Sequence, residues 1–98
     1  MHVVIWEYEV RAGGEAAFEA LYGPGGDWVA LFRAHAGYLG TELLRDPESG
    51  RHLTIDRWTS EAAYAAFLAA AAPRYADIDA RGDALTVGER RVGAYSPC

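Results

Sequence analysis

The stretch Arg51–Phe67, RHLTIDRWTSEAAYAAF, reads as a strand that runs to Trp58 and turns at Thr59-Ser60 straight into a helix. Side chains alternate across a strand, so His52, Thr54, Asp56 and Trp58 share one face and Leu53, Ile55 and Arg57 the other. Thr59 or Ser60 can accept hydrogen bonds from the free N–H groups of the first helical turn. Glu61 then places a negative charge at the positive end of the helix dipole. Tyr64, Phe67, Leu68 and Ala71 follow at helical spacing as one apolar stripe. The connection is too short for that stripe to do anything but fold back over the sheet. It brings Tyr64 towards Trp58, and a bound molecule is expected near that corner.

Upstream, His2–Val10 (HVVIWEYEV) is rich in the β-branched and aromatic residues that favour strands. Ala12-Gly13-Gly14 breaks it, and Glu15–Tyr22 reads as a helix with Phe18, Leu21 and Tyr22 inward. Gly23-Pro24-Gly25-Gly26 interrupts that helix. Asp27 is a suitable cap for a second one over Trp28–Ala34, with Trp28, Leu31, Phe32 and His35 inward. Tyr38–Arg45 reads as the second strand. The turn signal Asp46-Pro47-Glu48-Ser49-Gly50 joins it to the third as a hairpin. Downstream, Pro73 ends or restarts the helix, Tyr75 and Ile78 point inward, and Gly82 closes it. Ala84–Tyr95 is the last strand, bent or bulged at Gly88 or Gly93.

The order β-α-β-β-α-β, with both helical regions split, predicts an α+β, ferredoxin-like sandwich over residues 1–98 as a single domain: four antiparallel strands with helices on one face. The other face stays bare in one chain. Trp6, Tyr8 and Val10 are candidates for it, and leaving such residues wet invites association, so a homodimer is expected.

Composition narrows the function classes. The chain has 98 residues and twelve aromatic side chains, and much of its apolar area must come from those rings. A net charge of −5 argues against nucleic acid, whose phosphates call for clustered cations. No stretch approaches the roughly 20 apolar residues that span a membrane, and no secretory signal is visible. Cys98 is the single cysteine, so no internal disulfide forms, in keeping with a reducing cytoplasm. The three histidines lack metal-ligand spacing, and no Ser-His-Asp order, phosphate-cradling loop or dinucleotide fingerprint occurs. Neither metal nor cofactor is expected.

These residues together resemble the antibiotic-biosynthesis-monooxygenase-like family of dimeric α/β barrels. The resemblance rests on VRAGGEAAFEALY, on the hairpin AGYLGTELLRDPESGRHLTIDRW and on the junction WTSEAAYAAF, and it covers nearly the whole chain. It implies two ferredoxin-like protomers closing a barrel, each with a pocket between sheet and helices. Known members include cofactor-independent oxygenases of polycyclic phenols, quinol-type oxygenases and a haem-degrading branch. By position, Trp58 matches the tryptophan that ends the third strand. Tyr64 matches a tyrosine six residues later that helps hold or polarise a phenolic substrate in the polyketide-oxidising branch. The resemblance therefore makes Trp58 and Tyr64 the candidate catalytic pair. Thr54, Asp56, Phe32, Phe67 and Tyr75 are taken as the substrate-binding set around them. Thr54 stands where that branch has asparagine, and a hydroxyl lacks the amide's donor–acceptor pair. No histidine occurs from Ser60 to Cys98 and no asparagine anywhere, which argues against haem degradation.

Each candidate also has a plainer role. Trp58 and Tyr64 can be core residues. His35 suits a helix end bonded to carbonyls, His52 a solvent-facing strand start, and His2 a frayed terminus. An acid beneath the helices, Glu7 or Asp56, needs a partner such as Arg45, Arg57 or a tyrosine hydroxyl, or its pKa must rise. A raised carboxylate there could take a proton from a phenol. Three readings follow: a small oxygenase of aromatic phenols or quinols, a dimeric binding or stress-response module without turnover, and a purely structural dimer.

Overall fold

The computed structural model describes all of residues 1–98. In chain order its elements are β1 (His2–Val10), α1 (Glu15–Tyr22), α2 (Asp27–Arg33), β2 (Tyr38–Arg45), β3 (His52–Trp58), α3 (Glu61–Ala70), α4 (Ala72–Asp83) and β4 (Thr86–Tyr95). The strands form one open antiparallel sheet in the order β2-β3-β1-β4, and the helices pack on one of its faces. This is the ferredoxin-like α+β arrangement that the strand and helix order predicts. The sheet of a single chain does not close on itself.

Local chemistry sets the boundaries. Ser60 caps α3, its Oγ accepting from the Ala63 N–H at 3.0 Å. Pro73 sits in the first turn of α4, where its missing N–H costs nothing. Gly26, in extended backbone, is the residue before α2, so Asp27 is the first helical residue and not the cap. Its carboxylate instead pairs with Arg81 on α4 at 2.6 Å. β4 carries two irregularities against β1, next to Gly93 and Gly88 as anticipated.

The register of β1 on β3 decides which side chains lie under the helices. His2 stands opposite Trp58, Val4 opposite Asp56, Trp6 opposite Thr54 and Tyr8 opposite His52. All eight therefore share one face, and it is the helix-covered one: Val4, Tyr8, His52, Thr54 and Trp58 are buried, with Trp58 at 0% exposure. This corrects the expectation that Trp6, Tyr8 and Val10 form the bare face, since Tyr8 belongs to the core and Trp6 and Val10 pack against it. It also corrects the two histidines. His52 is 1% exposed with Nε2 2.8 Å from Glu19 Oε2, and His2 is buried with its ring 5.4 Å from that of Tyr64.

The open face carries what is left. Val3 and Ile5 of β1 lie beside Leu53 and Ile55 of β3, and the exposed Leu44 and Tyr95 extend the patch onto β2 and β4. Charged pairs frame it: Glu7 with Arg51 and Arg90, and Glu42 with Arg57. Glu7 thus lies outside the helix layer, and of the two acids only Asp56 goes beneath it.

Candidate active site

The corner between β3 and α3 is closed by a backbone contact that demands glycine. Gly37 has φ +92°, and its carbonyl accepts from the Thr59 N–H at 2.7 Å. A Cβ there would stand 2.6 Å from that of Ala63 and 2.8 Å from Thr59 Oγ1. Only a bare backbone lets the chain leaving α2 pass this close to the start of α3. Tyr64 consequently lies over Trp58, ring centroids 5.7 Å apart, and Phe67 follows at 5.0 Å.

Between the sheet and α2, α3 and α4 lies a cavity of about 130 Å³. Its walls are mostly aromatic: Trp6 and Tyr8 from the sheet, Tyr22, Trp28 and Phe32 from the first helical pair, and Tyr64, Phe67 and Tyr75 from the second. Thr54, Asp56 and Thr41 form its polar floor, and Asp79 and Glu89 also line it. Those last two approach the exposed Asp83, the three carboxylates lying within 4.8 Å of one another, so the cavity opens to water on that side. Linear spacing did not reveal this acid cluster, because its members come from a helix and the strand that follows.

Asp56 is the centre of the polar floor. Its Oδ1 accepts from Thr41 Oγ1 at 2.6 Å, and Thr41 Oγ1 lies 2.7 Å from the Tyr38 hydroxyl. No other hydrogen bond reaches the carboxylate, and no cation pairs with it, because Arg57 points to the other face and binds Glu42. The partner expected from Arg45, Arg57 or a tyrosine is thus a threonine, with a tyrosine one step behind. Desolvation raises the Asp56 pKa to about 6, and the Thr41 hydrogen bond limits the rise. Burial also raises the phenols around it: Tyr64 and Tyr8 upward, and Tyr75 to about 12. They stay protonated at neutral pH and can donate.

Of the seven residues singled out from the sequence, six line the cavity: Tyr64, Thr54, Asp56, Phe32, Phe67 and Tyr75. Trp58 does not. Its indole lies behind the wall, packed against Phe32, Tyr38, Tyr64 and Phe67, and its Nε1–H finds no acceptor. In this arrangement it backs the pocket without reaching its interior. His35 is likewise outside, edge-on to Phe67 at 5.0 Å. The sequence reading missed Trp6, Tyr8, Tyr22, Trp28, Thr41, Asp79 and Glu89 as lining residues. For Trp6 and Tyr8 the signal existed only in the strand register. For Thr41 it lay in the hairpin, which sets it opposite Asp56.

Among solved structures, a variant of SnoaB, a cofactor-independent oxygenase from Streptomyces nogalater, matches with a TM-score of 0.80 at 21% identity, over 98% of this chain and 91% of that one. The ActVA-Orf6 monooxygenase of Streptomyces coelicolor, solved with nanaomycin D, matches with a TM-score of 0.80 at 20% identity, over 99% and 87%. Rv0793 from Mycobacterium tuberculosis matches with a TM-score of 0.70 at 19% identity, over 99% and 94%. At these identities the likeness establishes the fold. No curated protein sequence matches the chain. The family described as antibiotic biosynthesis monooxygenase, however, matches residues 1–76 directly, from β1 through the Trp58–Tyr64 junction into α4. By that match the chain belongs to the antibiotic biosynthesis monooxygenase family.

Proposed function

We propose that this protein is a cofactor-independent monooxygenase acting on a neutral aromatic phenol or hydroquinone held in the cavity between sheet and helices. The observation that carries the reading is a carboxylate, Asp56, set in an aromatic-walled cavity with a pKa near 6 and no cation beside it. Such a group is ionised at neutral pH yet close enough to a phenol's affinity for protons to work as a base. The charged members of the lining are Asp56, Asp79 and Glu89, with no arginine or histidine among them, which favours neutral over anionic ligands.

In this reading the rings of Trp6, Phe32 and Phe67 confine the substrate, and the Tyr64 hydroxyl donates to its oxygen. Asp56 accepts the substrate proton. The electron-rich anion passes one electron to O2, and the two radicals join through a new C–O bond. The O–O bond of the resulting hydroperoxide then breaks. One oxygen remains as a carbonyl, and the other leaves as water, carrying the proton returned by Asp56 and the hydrogen that carbon still bore. The substrate supplies the electrons, and the protein supplies orientation, a base and a site from which water is largely excluded. Trp58 acts from behind the wall, holding Tyr64 and Phe67 in place. The 98 residues work as one domain, and two copies pair through the open sheet face, whose apolar strip would otherwise be wet.

Oxygen uptake with a panel of anthrone- and hydroquinone-type compounds tests this. Uptake should track product formed one to one, and Asp56→Asn should lower kcat at least about 100-fold. Carboxylated members of the panel should bind more weakly than their neutral counterparts. Tight binding of the neutral compounds without oxygen consumption would leave a binding module instead.

A further inference from the structure

Asp56 lies in a partly desolvated place, and nothing positively charged helps to keep it ionised. The one group that does so is the Thr41 hydroxyl, and its geometry fixes more than a distance. An ionised carboxylate only accepts, so the single Thr41 hydrogen is committed to Asp56 Oδ1 at 2.6 Å. Thr41 Oγ1 then has only lone pairs to offer Tyr38, so Tyr38 must be the donor in the 2.7 Å contact. The order is therefore Tyr38 to Thr41 to Asp56, with every hydrogen assigned. Each member is held by its element. Thr41 faces Asp56 across the β2–β3 pairing, and the Tyr38 ring is wedged against Phe32 and Trp58.

We propose that Thr41, locked in the donating sense by Tyr38, is the positioning residue of the site: it occupies Oδ1 of Asp56 and leaves Oδ2 as the oxygen that meets the substrate. The assignment rests on Asp56 being the base, as in the preceding reading, but it makes a claim about the carboxylate that holds with no substrate present. Hydrogen bonds donated to the charged form keep it charged, and each hydroxyl in the chain polarises the next. The other ionisable groups around Asp56 pull the opposite way or stay neutral. Tyr8, Tyr64 and Tyr75 are un-ionised at working pH, while Asp79 on α4 and Glu89 on β4 are like charges. Arg91 acts on Tyr64, and Arg33 on Tyr38, at the edges of the group. Removing the Thr41 donor thus leaves desolvation unopposed.

The test titrates the Asp56 carboxyl by carbon-13 NMR in the full chain without substrate, identifying its resonance with Asp56→Asn. Thr41→Val should move the midpoint upward by about one pH unit or more, because a hydrogen bond to a charged group is lost. Tyr38→Phe should move it in the same direction by less, and Thr41→Ser should restore it. Unfolding curves identify any variant that fails to fold. Should Thr41→Val fail, Tyr38→Phe carries the test alone. A midpoint unchanged to within a few tenths of a pH unit in the folded variants overturns the assignment. If the natural chain oxidises phenols, the acid limb of its kcat/KM profile should move with the NMR midpoint. If it oxidises none while the midpoint still moves, the oxygenase reading fails and the positioning of Asp56 by Thr41 stands.

Discussion

The two faces of the sheet divide the same strands into opposite chemistries. Along β3, His52, Thr54, Asp56 and Trp58 go under the helices, whereas Leu53, Ile55 and Arg57 go to the open side. The covered face holds three polar groups that a plain core would not choose, and the open face holds aliphatics that a plain surface would not choose. Burying a carboxylate opposes folding, and leaving Ile5, Leu53 and Ile55 uncovered gives up burial that could have favoured it. The comparison teaches that neither face is arranged for the stability of one isolated chain. On the proposed reading, one holds a substrate and the other meets a second copy of the chain.

The contrast can be broken most forcefully at its anchor. Trp58 is fully enclosed and touches four other rings, so Trp58→Ala should cost about 4 kcal/mol of folding stability, read from denaturant curves. If Trp58 only fills space, Trp58→Phe should recover most of that loss and most of the activity. Were a catalytic contact made by the indole itself, activity would stay low in the stable variant.

The open face is probed by Ile55→Asp, which places a charge in the middle of the apolar strip. If two copies pair as proposed, sedimentation should show their Kd rising about 100-fold, as expected for a charge left unpaired at a buried contact. A natural chain that is monomeric at micromolar concentration would remove the pairing outright.

The smallest effect has the most telling sign. The Asp56 pKa is raised from 3.8 to about 6, so folding favours its neutral form. Below about pH 4 the carboxyl is protonated whether the chain is folded or not, and it costs nothing. As the pH rises through 6 the folded protein must hold a charge it disfavours, and stability falls. Asp56→Asn should therefore gain about 2 kcal/mol at pH 8 and almost nothing at pH 4, in thermal unfolding at the two pH values. Greater stability joined to lost turnover is what a group kept for chemistry predicts.

Much of this was legible beforehand, at particular residues. The Trp58-Thr59-Ser60 junction carries its own strand end and cap, Asp46–Gly50 its own turn, and Gly23–Gly26 its own helix break, because each depends on neighbours in sequence. The same locality placed Thr54, Asp56 and Trp58 on one face of β3. Tyr64 and Phe67 could be placed together because helical spacing aims them to one side, and Tyr75 because it falls on the inward side of the next helical stretch. What stayed hidden depended on partners far along the chain. Trp6 and Tyr8 were assigned to the wrong face because β1 alternates large side chains on one side with Val3, Ile5, Glu7 and Glu9 on the other, and either set could be imagined inside. His52 was taken for a surface residue because its partner Glu19 is 33 residues away.

The sequence by itself determined the element order, the α+β class, the strand-to-helix turn at Thr59-Ser60, and the aromatic character of whatever lies beneath the helices. These follow from backbone preferences and side-chain periodicity, which act over a few residues. The tertiary structure alone decided that Trp58 stands behind the wall while Trp6 and Trp28 stand in it, and that Asp56 is held by Thr41 and Tyr38 instead of an arginine. Those outcomes turn on strand register and on the depth to which each ring sinks. A shift of one residue in pairing exchanges the two faces of a strand, and no local preference records it.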